Sequence, residues 1–365
     1  MQKALKFILI LLLSFCNHSN LMADNIINIY NWADYISQSS IEKFENNTKI
    51  KVIYDVFDNN QMLEARLIAG KTGYDIVVPS AEPFLSHYIK NGLFQKLDKS
   101  RLPNYKNLDH KILKILEKHD PGNEYTIPWM WNNIGIGYNE KMVSKILPNV
   151  SMDSLEVLFN QEYISKLAKC GVDFLDSPTE VIPLVFVYLG IDPASEDKAD
   201  LAKAEQLLKS IRPYIRDFNS SRYVSDLANG NICVVLGHSG DIIQAKNALD
   251  KASSKVEINY HIPKEAMEIS IDVFAITKDA SNTDEAYEFL NFILDPQVAA
   301  ETTNAIYQPN ANKASLEFVE QKIKEDHNIY PTNETFIRAF DLKSTNLQYN
   351  RLRNRAWMRI VTGKE

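Results

Sequence analysis

Three short apolar runs, at 27–31, 50–54 and 74–80, are separated by two stretches with helical spacing, at 39–47 and 62–70. Ile27 and Ile29 alternate with polar neighbours as in a strand, Ile41 and Phe44 share one helix face, and Gly70 supplies a helix stop. Strand, helix, strand, helix, strand is the order a parallel sheet imposes, because a parallel neighbour needs a crossover long enough to hold a helix. The pattern predicts an α/β protein. Open sheets of this kind bind ligands beyond the carboxyl ends of their strands, and Trp32, Asp34 and Ser80 all fall there. The loop after the first strand sets the Asp34 carboxylate between two rings, Trp32 and Tyr35. Ring faces attract a cation and a carboxylate accepts its charge-assisted hydrogen bond, so the trio suits an ammonium group. The same residue types also serve as core anchors and a helix cap, so the loop alone does not decide.

The long extended stretch 126–139, punctuated by Gly135 and Gly137, is suited to crossing between lobes. A second α/β rhythm follows, with helices expected at 155–168, 179–189 and 201–211 and strands at 172–175 and 231–237. A half-buried strand is expected at 256–263, a strand returns at 271–276, and helices follow at 283–294 and 316–325. A chain of 365 residues exceeds what one core sustains. The expectation is two lobes, each a mostly parallel sheet flanked by helices, with a hinged cleft between them. Residues 24–131 plus 262–309 make lobe 1, and 132–261 plus 310–365 make lobe 2.

The N-terminus reads as a cleavable secretory leader over 1–23, with Lys3 and Lys6 before an apolar run from Phe7 to Phe15. That run is shorter than the roughly 20 residues a bilayer requires. Phe15 ahead of Cys16 argues against a lipoprotein. The formal charge is −7, and removing the leader leaves 38 basic against 47 acidic residues, or −9. An acidic surface disfavours nucleic acid and anionic membranes as partners and favours cationic ligands. Export leaves Cys170 and Cys233, each ahead of an apolar strand-like run, and in an oxidising compartment the pair is expected to form a disulfide.

Constellations for catalysis are missing. The seven histidines are scattered, with no His-Glu-x-x-His and no Cys-x-x-Cys, so neither a transition-metal site nor a cofactor is expected. The consecutive Gly237-His238-Ser239-Gly240-Asp241 cannot assemble a hydrolase triad. What recurs is a carboxylate after or within a strand, or at a helix start: Asp34, Glu180, Asp241 and Asp272. Singly, each reads equally as a cap or a buried ion-pair partner. Together they line a cleft with negative charge that a cationic ligand would compensate.

Asn28 to Tyr35, Tyr54 to Asp58, Asp75 to Ser80, His119-Asp120-Pro121, Gly135 to Asn139, Leu227 to Gly230 and Asp272 to Ala275 follow one another in an order that resembles the periplasmic polyamine-binding proteins, the putrescine receptors above all. The resemblance spans essentially the whole exported chain. It implies the two-lobed periplasmic-binding-protein fold (type II) and a monomer that is not an enzyme. Such a protein captures a polyamine, putrescine foremost, and delivers it to the permease of an ABC-type importer; a polyamine sensor of the same fold is the alternative use. It also implies that Asp34, Glu180, Asp241 and Asp272 grip the amines, that Trp32 and Tyr35 form an aromatic box, and that Ser80 and Ser220 contact the ligand's ends. This chain departs from the pattern where an expected Trp is His238, where aromatics become Ser270 and Gln308, and where a small hydroxyl residue becomes Ala33. Lost rings weaken cation-π attraction and open volume, which points either to weaker putrescine binding or to spermidine, agmatine or cadaverine as the ligand.

Overall fold

The computed structural model describes residues 25–33, 35–57 and 59–363. The expected leader over 1–23, Cys16 and Asp34 lie outside the described residues. In chain order the strands are β1 (Ile26–Trp32), β2 (Lys51–Phe57), β3 (Ile76–Val77), β4 (Thr126–Asn132), β5 (Ile134–Asn139) and β6 (Val172–Phe174), then β7 (Asp217–Phe218), β8 (Val234–His238), β9 (Ile258–His261), β10 (Met267–Ile276) and β11 (Ala339–Asp341). They form two sheets, one in the order β11-β10-β3-β1-β2 with β4 also on β10, the other in the order β7-β6-β8-β5-β9. Each sheet has its own apolar core.

Side-chain caps define the early helices. Ser37 accepts from the Ser40 amide at the start of Gln38–Thr48, and Asn59 accepts from the Met62 amide at the start of Asn60–Ala69, which Gly70 closes at a φ of 69°. The crossovers make β1 parallel to both β2 and β3, and β8 parallel to β6. Antiparallel pairs arise where the chain passes between sheets: β10 runs against β3 and β4, and β5 runs against β8 and β9. The sheets are therefore mixed, because a strand entering from the other sheet has no helical crossover to reverse it.

One residue, Asn133, separates β4 in the first sheet from β5 in the second. The chain returns between β9 and β10, enters the second core at Val319, Ile323 and Ile329, rejoins the first sheet at β11 and leaves again after it. The segment 310–365, expected wholly in the second lobe, is thus divided. β11 is hydrogen-bonded to β10, with Ile269 opposite Asp341, while the terminal helix Leu347–Thr362 buries Tyr349, Ala356, Trp357 and Ile360 in the second core. Three residues of strand carry too weak a periodicity to read in sequence. Among the described residues no helix is long and apolar enough to cross a membrane.

Cys170 and Cys233 are bonded, with Cα atoms 5.4 Å apart. Register explains it, since Val172 pairs with Val234 in the parallel β6–β8 ladder and the two cysteines sit just ahead. The loop so closed spans 63 residues. Reducing the bond, or replacing both cysteines with serine, is expected to cost about 2–4 kcal/mol. A urea titration with and without reductant reads this directly; coincident midpoints would show that the bond constrains nothing.

Candidate ligand-binding site

Three polar side chains alternate along one face of β10, Glu268, Ser270 and Asp272, while Met267, Ile269 and Ile271 enter the first core from the other. Asp272 is 4% exposed. Its Oδ1 accepts a hydrogen bond from Ser80 Oγ at 2.6 Å, and its Oδ2 accepts one from the Tyr35 hydroxyl. Ser80 forms an isolated bridge with Asp272, and the Asn60 amide holds it from behind, accepting from the Ser80 N–H and donating to its Oγ, both at 3.1 Å. Gln308 Nε2 donates to the Tyr35 oxygen at 2.8 Å. Burial drives the Asp272 carboxyl up to about 6, although the Ser80 and Tyr35 hydroxyls pull it down. Burial, then the adjacent Asp272 charge, pushes the Tyr35 phenol well above its ordinary value.

A second group comes from the other sheet. Glu180 lies in the first turn of helix Pro178–Tyr188 and Asp241 in the first turn of helix Ser239–Lys251, where the helix dipole favours negative charge. Glu180 Oε1 is 3.6 Å from His238 Nε2 at the end of β8. Asp241 Oδ2 accepts from the buried Tyr223 hydroxyl at 2.5 Å, and the Tyr223 oxygen accepts the His238 amide at 3.4 Å. The two groups meet at Gly240, where a Cβ would stand 2.9 Å from Gln308 Oε1. They also act on each other by charge: Asp241 raises the Tyr35 phenol and His238 lowers the Asp272 carboxyl.

Of the residues singled out in the sequence, Tyr35, Ser80, Asp272 and Gln308 thus share one network, and Glu180, His238 and Asp241 share the facing one. Trp32 ends β1 with its ring against Phe57, centroids 4.5 Å apart, and its Nε1 has no hydrogen-bond partner. Ser270 is half-buried opposite Asn132 of β4. Ser220 joins neither network; it is exposed, and its Oγ accepts the Asp176 amide at 3.1 Å. Tyr223 and Asn60, which orient Asp241 and Ser80, were missed because their partners are remote in sequence. Glu268 was missed because the strand begins four residues before the expected 271, and extending the alternation of Ser270 and Asp272 would have found it. Glu268 is fully buried with no hydrogen-bond partner for either oxygen, and burial followed by the Glu180 charge raises its carboxyl well above the ordinary range.

Among the described residues no Lys or Arg pairs with Asp272, Glu180 or Asp241, and His238 is the only basic side chain within ion-pair distance of any of them. Converging carboxylates with neutral donors around them make a site complementary to a cation.

Residues 39–332 match the model of the bacterial extracellular solute-binding proteins. The chain is similar to the putrescine-binding periplasmic protein SpuD of Pseudomonas aeruginosa, 48% identical over 344 residues that cover 94% of each chain. It is similar also to the putrescine-binding periplasmic protein PotF of Escherichia coli, 46% identical over 340 residues, 93% of this chain and 92% of that one. Among solved structures, the spermidine/putrescine ABC transporter substrate-binding protein PotD of Streptococcus pneumoniae superposes with a TM-score of 0.82 at 26% identity, covering 93% of this chain and 99% of that one. With two sheets, repeated crossings and carboxylates facing one another, the chain belongs to the bacterial extracellular solute-binding protein family.

Proposed function

We propose that this protein is a periplasmic receptor that captures a linear polyamine, putrescine foremost, and hands it unchanged to the membrane permease of an ABC-type importer. It acts as a monomer, makes no covalent change to its ligand and uses neither cofactor nor nucleic acid. The two sheets with their flanking helices are its two lobes, joined by the repeated crossings of the chain. One observation carries this reading: Asp272 is buried, held by hydroxyl donors alone, and no Lys or Arg pairs with it among the described residues. An ammonium supplies the missing charge. Asp272 with Asp34 grips one end of the amine and Glu180 with Asp241 the other, while the rings of Trp32 and Tyr35 flank the methylenes. The names and likeness of the putrescine-binding relatives support the same ligand class.

Polar side chains at His238, Ser270 and Gln308 favour a second reading within that class. The His238 Nδ1 is buried without a partner and suits an additional hydrogen-bonding group, as in spermidine or agmatine, better than it suits a methylene. A thermal-shift panel of putrescine, cadaverine, spermidine and agmatine separates the two readings. At about 1,000 times its dissociation constant the preferred amine adds about 4 kcal/mol. A panel in which no amine shifts the midpoint rejects both.

Asp272→Asn keeps the shape and removes the charge. It is expected to weaken amine binding by about 2–5 kcal/mol, the cost of leaving a buried ammonium without its partner. Calorimetry showing unchanged affinity would move the grip elsewhere. Binding also depends on pH in a defined direction. The Asp272 carboxyl is held up to about 6 in the folded protein, against about 3.9 in an unfolded chain. Its burial therefore weighs against the ligand-free fold above pH 6, and that cost disappears as pH falls toward 4. Amine binding requires the ionised form, so affinity is expected to fall about tenfold per pH unit below about 6. A flat affinity from pH 7 to 5 would contradict this.

A further inference from the structure

Away from the Asp272 network, three polar side chains from separate segments meet inside the protein. Glu82 lies in the turn after Ser80, His119 follows helix His110–Leu116, and Asp341 ends β11. Their side chains are 0%, 6% and 5% exposed. His119 Nε2 stands 3.0 Å from Glu82 Oε1 and 2.9 Å from Asp341 Oδ2.

An imidazole nitrogen carries at most one hydrogen. Asp341 Oδ2 takes the hydrogen bond, and Glu82 Oε1, buried at the same point, has no hydrogen-bond partner. That oxygen is left with its 3.0 Å contact to the same imidazole nitrogen, which must serve two carboxylates at once. The outer oxygens are already oriented: Glu82 Oε2 accepts the Ile271 amide at 3.4 Å, and Asp341 Oδ1 accepts from the Lys118 ammonium. One donor atom from each of the three residues lies within 4.8 Å of those of the other two.

We propose that His119 Nε2, Glu82 Oε1 and Asp341 Oδ2 form a binding site for one divalent transition-metal cation, zinc in the first instance, with water as the remaining ligand. One imidazole and two carboxylates make a borderline-hard donor set that suits zinc. Bonds of about 2.0–2.1 Å in a tetrahedron separate the ligand atoms by about 3.3 Å, so the two contacts of His119 Nε2, at 3.0 and 2.9 Å, need to open by a few tenths of an ångström. A bound cation gives both carboxylates a direct partner and displaces the one proton that His119 Nε2 otherwise holds between them. It also ties together the Ser80 turn, the loop at His119 and β11, whose chain continues to the terminal helix in the other core. The site is separate from the amine-binding reading and does not depend on it.

Titration of untagged, chelator-treated protein with zinc chloride tests the assignment by calorimetry and by metal content after dialysis. The expected result is one zinc per chain, a higher thermal midpoint, and an X-ray absorption spectrum showing nitrogen and oxygen ligands with one imidazole and no sulfur. Glu82→Gln and Asp341→Asn, which keep the shape of each side chain, are each expected to weaken uptake at least tenfold, as is His119→Gln. Absence of stoichiometric uptake by the wild-type protein overturns the proposal. So does a spectrum without imidazole, or uptake that survives in correctly folded Glu82→Gln and Asp341→Asn proteins.

Discussion

A carboxylate inside a protein is ordinarily kept there by a basic partner, and Asp272 is kept there by two hydroxyls. Neutral donors offset part of the desolvation cost but leave the charge uncompensated. Much of the molecule follows from that shortfall. Asn60 and Gln308 are spent on orienting the hydroxyls of Ser80 and Tyr35, and β10, which carries Asp272, is the strand on which β3, β4 and β11 all pair. The facing group, with Glu180 and Asp241, bears charge of the same sign. Like charges on the two sides oppose close approach until a cation lies between them. On the proposed reading, a ligand with a positive group at each end would bind the approached arrangement better than the separated one, the condition for a ligand to shift such an equilibrium.

The alternation of apolar runs and amphipathic stretches made part of the first sheet legible, because β1, β2, β3 and the two helices between them are local in sequence. The crossings were legible in part. The long run through Trp129 and Trp131 identified β4 and β5, whereas β11, three residues long, gains its identity only from pairing with β10. Among the candidate site residues, Asp272, Ser80 and Tyr35 share one network, although strand ends alone pointed only to Ser80 and the loop after β1. Ser220 shows the limit of position alone, since its hydroxyl is engaged by the Asp176 amide. Tyr223, Glu82 and His119 act through neighbours more than ten residues distant, and no spacing rule connects Glu82 to Asp341 across 259 positions.

The passage from β4 to β5 concentrates unusual polarity. Asn132 Oδ1, Asn133 Nδ2 and both oxygens of Glu268 are buried without hydrogen-bond partners, and Asn133 joins the two sheets directly. Tyr260 donates to Asn133 Oδ1 at 2.6 Å, and Ser239 Oγ accepts the Asn133 amide at 3.2 Å. Only part of the available hydrogen bonding is used there. Groups left unsatisfied at the point where two sheets share one residue stabilise no single arrangement strongly, a property that suits a joint better than a strut.

The disulfide sets off a cassette within the chain. Cys170 and Cys233 stand at the entrances of neighbouring parallel strands, and the Cys233 amide donates to the Gly171 carbonyl at 2.9 Å, so both ends of the intervening segment are anchored at one place. Glu180 lies inside this closed loop, while His238 and Asp241 follow it. The ends of the loop stay fixed by bonds that do not involve its middle. The closed loop also holds β6, which pairs with β8, and the Glu180 helix, whose Val181, Ile182, Leu184, Val185 and Phe186 are buried in the second core, so the bond pins a packed segment to the strand that leads to Asp241. Glu180 and Asp241, which belong to one group, are thereby referred to a single fixed point of the second sheet.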